Sequence, residues 1–120
     1  MNQDDLSRFT QRAGEGPVCM LNLLQFAEGG AELYAQYARA VEPMLQARGG
    51  RAVYMGRGAE LLLGADDQRW DLVALIEYPR RAALLEMVQS PEYQAISHLR
   101  TDALKKSVLF ATDPMFPAAG

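Results

Sequence analysis

The sequence predicts an α+β fold: a four-stranded antiparallel sheet with helices against one face. Three observations carry this reading. Apolar runs of strand length and stripes of helical period follow one another in the order strand, helix, strand, strand, helix pair, strand. Glycine, proline and acidic turn residues separate them. The first and third strand candidates are apolar on both parities, as strands in the middle of a sheet covered on both faces should be.

Asp5 to Ala13 carries Leu6 and Phe9 at helical spacing and predicts a short helix, broken by Gly14-Glu15-Gly16-Pro17. Val18 to Phe26 has the length of a strand. From Ala31 to Arg48 the pattern turns helical, with Leu33, Tyr37, Val41, Met44 and Leu45 in one apolar stripe that Gly49-Gly50 closes. Pro43, inside that stretch, is expected to kink or shorten its last turn. Arg51 to Gly64 reads as a long second strand in which Val53, Met55, Leu61 and Leu63 share a parity, with a bulge or bend at Gly56 and Gly58. After the turn at residues 65–69, Trp70 to Tyr78 is the third strand, ended by Pro79. Arg80 to Gln89 is the second long helix. Ser90-Pro91-Glu92 restarts a helix, with a capping serine and proline at the first helical position, and it runs to about Lys105. Ser107 to Thr112 is the fourth strand.

This order is the split βαβ, or ferredoxin-like, βαββαβ arrangement, in which the sheet runs 4-1-3-2 and the helices lie on one face. Met20 and Leu24 oppose Leu21 and Leu23 across the first strand, and Leu72, Ala74 and Ile76 oppose Val73 and Leu75 across the third. The helices cover only one of these faces. A second copy, sheet against sheet about a two-fold axis, is the simplest cover for the other, giving a dimeric α/β barrel. Residues 1–16 are then an N-terminal extension with a short helix, 17–112 the barrel domain, and 113–120 a loose tail holding Pro114, Pro117 and Gly120.

Composition narrows the function classes. A chain of 120 residues with 49% hydrophobic and 22% charged residues fits one globular domain with an adequate core. The net charge is −3 and the basic residues are scattered, which argues against nucleic acid as a partner. Cys19 is the one cysteine, so no internal disulfide can form, and in an apolar strand it reads as an inert packed thiol. The acidic, polar start Met1-Asn2-Gln3-Asp4-Asp5 does not resemble a signal peptide, and no apolar run approaches the ~20 residues of a membrane span. The expectation is a cytoplasmic protein with no membrane partner.

The runs Met20-Leu21-Asn22-Leu23-Leu24-Gln25-Phe26, Trp70-Asp71 with Ile76-Glu77-Tyr78-Pro79, and Ser90-Pro91-Glu92-Tyr93-Gln94-Ala95-Ile96 with Arg100 resemble the family called domain of unknown function 1330. That family belongs to the dimeric α+β barrel group. The resemblance spans Pro17 to Thr112 and departs from the common pattern at Tyr78, where relatives often carry phenylalanine. It implies the fold and the dimer. It implies no reaction, since related barrels include cofactor-free monooxygenases, isomerase-like enzymes and plain ligand binders.

Common catalytic and cofactor motifs are absent. Gly56-Arg57-Gly58-Ala59-Glu60-Leu61 lacks the third glycine of a dinucleotide turn and lies in a strand. One histidine and one cysteine do not make a typical metal site, so neither metal nor cofactor is expected. Arg100 shares an apolar helical stripe with Tyr93, Ile96, Ala103 and Leu104. Either its stem packs there with the head in water or on a carboxylate, or it is an anion clamp. Asn22 shares a parity with Val18, Met20 and Leu24, and is either a satisfied buried amide or a donor aimed into a pocket. His98, the lone side chain that titrates near neutrality, falls opposite the Arg100 stripe. Trp70 reads as a core or interface anchor, and Asp71 as a solvated turn carboxylate or a base. Glu77 is a candidate partner for Arg100 or Arg57, while Tyr34, Tyr37 and Tyr54 either line a cavity or fill the core.

The resulting expectation is a homodimer that binds a small, partly apolar molecule through Asn22, Arg100, Tyr37, Tyr54 and Trp70. Any chemistry would be cofactor-free proton transfer or monooxygenase-like, with His98 or Asp71 as base and Arg100 stabilising developing charge. The alternative is a non-catalytic structural or interaction dimer with no small-molecule site.

Overall fold

A computed structural model describes residues 2–116. In chain order its elements are α1 (Gln3–Gln11), β1 (Val18–Phe26), α2 (Gly30–Ala47), β2 (Arg51–Arg57), β3 (Leu72–Tyr78), α3 (Arg81–Gln89), α4 (Pro91–Ala103) and β4 (Leu104–Thr112). The strands form one sheet in the order β2-β3-β1-β4, every neighbouring pair antiparallel. This is the expected 4-1-3-2 order read from the other edge, and the fold is ferredoxin-like. The last residues of the expected tail, 117–120, lie outside the described residues.

The registers assign each strand residue to a face. Val18, Met20, Asn22 and Leu24 of β1 and Ala74 and Tyr78 of β3 are buried under the helices. Cys19, Leu21 and Leu23 share the other face with Glu77, Leu75 and Val73, and with Thr112, Phe110 and Val108 of β4. Alternation in β1 is strict, buried against half-buried, although both parities are apolar. The core is built on the helix side from Val18, Met20, Leu45, Tyr78, Ala83 and Met87, with Phe9 of α1 and Val41 of α2 packed against it.

Local chemistry sets the element ends. Asn2 caps α1 by accepting from the Asp5 amide at 2.9 Å, and Asp4 and Asp5 occupy the first turn, where the helix dipole favours negative charge. The Ser90 hydroxyl caps α4 by accepting from the Tyr93 amide at 3.2 Å, with Pro91 in the first turn as expected. Helix α2 runs through Pro43 to Ala47. At its start Gly30 leaves room for the carbonyl of Ala103, which a Cβ would overlap. That close approach seats α2 beside the junction of α4 and β4.

The largest departure from expectation is β2. It ends at Arg57, seven residues before Gly64. The Gly58 amide donates to the Asp71 carbonyl at 3.0 Å, and its bare Cα lies against the Trp70 carbonyl where a side chain would not fit. The bulge falls earlier than expected, between Ala52 and Tyr54. Leu61 and Leu63 therefore belong to a connection, in which Leu62 and Leu63 are 92% and 96% exposed. Strand β3 begins at Leu72, two residues later than expected, and Asp71 just before it ties the sheet ends together. Strand β4 begins directly after α4, at Leu104.

Candidate functional site

Strand β1 places Asn22 in the middle of the sheet, facing the helices, with Ala74 and Leu109 as its neighbours on either side. A polar side chain there must find partners within the protein. Its Nδ2 donates to the Met20 carbonyl at 3.3 Å, and its Oδ1 accepts from Arg100 Nη2 at 3.5 Å. The second contact lies at the outer limit of hydrogen-bond length, so it holds the guanidinium weakly.

Arg100 reaches this layer because α4 presents it on the same face as Tyr93, two turns earlier. Helix α2 presents Tyr34 and Tyr37 one turn apart, and the two helices pack against each other. The Tyr37 and Tyr93 hydroxyls are 2.9 Å apart, and their rings meet edge to face at 6.1 Å. Tyr34 stacks on Tyr37 at 5.4 Å between centroids and touches the ring of Phe26 at 5.8 Å. Tyr78 of β3 completes the group beneath the helices. Burial pushes the phenols of Tyr34, Tyr37 and Tyr78 up from their ordinary range, and neighbouring phenols add to this. The positive charge of Arg100 pulls all three the other way and does not win. Tyr34, Tyr37 and Tyr78 are neutral donors and acceptors at physiological pH, and Arg100 is the charged member of the group.

Tyr34 also forms one wall of a cleft of about 190 Å³, lined with Phe26, Ala31, Ala35, Ala38, Met55 and Leu72. The small side chains of α2 open it, and the sheet residues of β1, β2 and β3 floor it. Its lining is almost wholly apolar, so the polar group around Arg100 and the apolar cleft meet at Tyr34.

The structure thus brings together Asn22, Arg100 and Tyr37 of the expected site residues, and adds Tyr34, Tyr93 and Tyr78. Tyr54 stands opposite Leu75, on the face away from the helices, and is 55% exposed. Trp70 lies at the end of the sheet, where the Lys106 ammonium sits 4.9 Å above its ring. His98 is on the exposed side of α4. Asp71 adjoins the cleft-lining Leu72, and its carboxylate accepts from the Phe26 amide at 2.8 Å while its own amide donates to the Leu24 carbonyl at 2.7 Å. Glu77 pairs with Arg51 at 3.3 Å rather than with Arg100 or Arg57. Cys19 lies opposite Glu77, and burial followed by that carboxylate raises its thiol pKa, which disfavours the reactive thiolate. Among the described residues no cluster of histidine, cysteine and carboxylates could hold a metal, and no helix is long and apolar enough to cross a membrane.

The family described as domain of unknown function 1330 matches residues 24–113, three quarters of the chain. The chain belongs to the DUF1330 family. Its match begins within β1 and ends just past β4, so it includes Arg100 and the tyrosine group while Asn22 lies just outside it. A crystal structure of a protein of unknown function from Rhodopseudomonas palustris is similar to this DUF1330 chain at 33% identity, with a TM-score of 0.88 over 98% of this chain and 96% of that one. More distant likenesses show the shared fold. A putative antibiotic biosynthesis monooxygenase from Bacteroides thetaiotaomicron has a TM-score of 0.64 at 15% identity, over 88% of this chain and 95% of that one. A dimeric protein of unknown function with a ferredoxin-like fold from Bacteroides fragilis has a TM-score of 0.58 at 12% identity, over 82% and 97%. None of the curated proteins matches the chain.

Proposed function

We propose that this DUF1330 protein is a homodimer that binds a small, partly apolar molecule in the layer between its sheet and its helices. The observation that carries the reading is the meeting of a polar group (Arg100, Asn22 and the tyrosine hydroxyls) with an apolar cleft at Tyr34. Sites for small molecules have this make-up: apolar walls and a few placed polar groups that fix orientation. The second copy answers the other face of the sheet, where Leu21, Leu23, Val73, Leu75, Val108 and Phe110 line up with no helix over them. Phe110 alone is 60% exposed in the single chain. Such a continuous apolar face marks an interface. A neighbour of the same fold, from Bacteroides fragilis, is described as dimeric, which supports a dimer here.

The reading concerns binding. The buried phenols are held protonated, so the layer itself offers no ready base. Of the two expected bases, His98 faces away, and Asp71 adjoins the cleft with its carboxylate engaged by the Phe26 amide.

Native mass spectrometry followed by denaturation of the same sample tests both halves. The expected result is a species of twice the 13.3 kDa chain mass that sheds a small molecule on unfolding. A monomer would overturn the dimer. A dimer with nothing to shed, and with no fragment binding in the sheet–helix layer, would favour a structural or interaction role.

A further inference from the structure

We infer that the ligand is a small organic carboxylate, its carboxylate held by Arg100 and its apolar body seated in the cleft behind Tyr34. The inference rests on the small-molecule reading above and names the ligand class for that same site.

The charge balance of the layer points to an anion. A guanidinium is positive at every physiological pH. Arg100 is half-buried, yet among the described residues it forms no ion pair, and its hydrogen bond to Asn22 is 3.5 Å long. Its neighbours Tyr34, Tyr37 and Tyr78 are neutral phenols, whose pKa burial raises further. Of the other arginines drawn into the structure, Arg81 and Arg12 have Asp113 and Arg51 has Glu77, while half-buried Arg48 donates to the Met44 carbonyl at 3.1 Å at the C-terminal end of α2, where the helix dipole favours a cation. A partly buried cation with only neutral oxygens around it lacks the compensation such groups ordinarily have.

Geometry then selects a carboxylate. One guanidinium fork matches one planar carboxylate through two parallel hydrogen bonds. A phosphate dianion would call for a second cation, and Arg100 is the one charged group of this layer. The weak hold of Asn22 leaves the fork able to exchange that contact for a charged one, while the Asn22 amide and the Tyr34 hydroxyl remain near as further donors. The rest of the ligand is set by the cleft. About 150 Å³ of apolar space suffices for a benzene-sized group, and the cleft here holds about 190 Å³ between Phe26, Tyr34, Met55 and Leu72. The cleft therefore seats a compact apolar group, an aryl ring or a short alkyl chain, on the acid.

The test uses matched probes on the full-length protein, followed by titration calorimetry and by chemical-shift mapping. Benzoate and benzamide share a shape and differ in charge, and acetate carries the charge without the apolar body. Benzoate is expected to bind at least about tenfold more tightly than either, as a charge-assisted pair should, with shifts centred on Tyr34, Arg100 and Phe26. Arg100→Gln should remove that preference, and Ala35→Phe, which fills the cleft, should weaken benzoate without restoring benzamide. Should Arg100→Gln not fold, the benzoate-to-benzamide ratio on the native protein still decides. Equal binding of benzoate and benzamide in the cleft would overturn the carboxylate assignment and leave the small-molecule reading standing. Shifts from neither these probes nor a wider neutral and anionic fragment set would overturn both.

Discussion

Two arginines on the helix side of the sheet stand in opposite surroundings. Arg81, the first residue of α3, is 3% exposed. Its Nη2 lies 2.8 Å from an Asp113 oxygen, and its guanidinium rests 5.2 Å from the centre of the Phe9 ring. Asp113 is shared with Arg12 at 2.9 Å, so the cluster ties α1, α3 and the segment after β4 into one corner. Only the Arg81 Nε is left without a partner there. Arg100 is less buried, has no carboxylate, and faces phenols and one amide. The contrast separates two uses of the same side chain. A cation given a carboxylate and an aromatic platform is a structural tie. A cation given only neutral oxygens contributes little to stability and is suited to receive an anion from outside.

The largest effect should come from breaking the tie. Arg81→Ala is expected to cost about 2 kcal/mol in chemical denaturation, mostly through the lost packing of its stem and ring contact, since Asp113 is itself solvent-exposed. Benzoate affinity should not change. A loss of affinity would show that the two corners are coupled and that the separation drawn here is wrong.

Tyr37→Phe should cost about 1 kcal/mol by removing the hydroxyl pair with Tyr93. It should also act on the alkaline side. A phenol whose pKa is raised by folding gives its full stabilisation below its unfolded value of 10.0, and that stabilisation is lost as pH climbs above it. Stability of the native protein should therefore fall above pH 10.0, and Tyr37→Phe should soften that fall. An unchanged alkaline limb would remove Tyr37 from the buried phenol group.

The acid limb tests the Arg81 corner. Hydrogen bonds from Arg12, then Arg81, hold the Asp113 carboxyl below its ordinary value of 3.8. A depressed carboxyl stabilises the fold above its unfolded pKa and loses that contribution as pH falls from 3.8 downward. Asp113→Asn should flatten the acid limb in a pH series of unfolding midpoints. Arg100→Leu should leave it intact.

The smallest stability change is expected for Arg100→Leu, within about 0.5 kcal/mol of the native protein, because it removes a charge with no counter-charge. A loss of several times that would mean Arg100 is a structural tie after all.

Much of this contrast was beyond single-sequence reading, and the reasons are physical. The βαββαβ order was legible because the hydrophobic period changes at Gly49-Gly50 and at Pro79, and the turn residues 65–69 separate the two strand candidates between them. The two-sided apolar pattern of β1 and β3 marked them as central. Arg100 stood out because seven-residue spacing from Tyr93 puts both on one helix face. What escaped was contact between distant segments. The Tyr37–Tyr93 hydroxyl pair joins residues 56 apart, and the Arg81–Asp113 pair joins residues 32 apart. In the sequence Arg81 is only the second half of an Arg80-Arg81 pair at an element end. The expected end of β2 differs because Leu61 and Leu63 keep strand parity, while the pairing stops at Arg57, beside the close approach of Gly58 to the Trp70 carbonyl. Trp70 and Tyr54 have the residue types of a binding pocket, yet the sheet places them away from Arg100.

The most direct test of the central claim is the affinity of Arg100→Leu for benzoate, measured by calorimetry on a sample whose dimer mass and unfolding midpoint are determined alongside. The account predicts that binding falls at least about tenfold while dimer and midpoint hold. Unchanged affinity, or binding lost together with the fold, would contradict it.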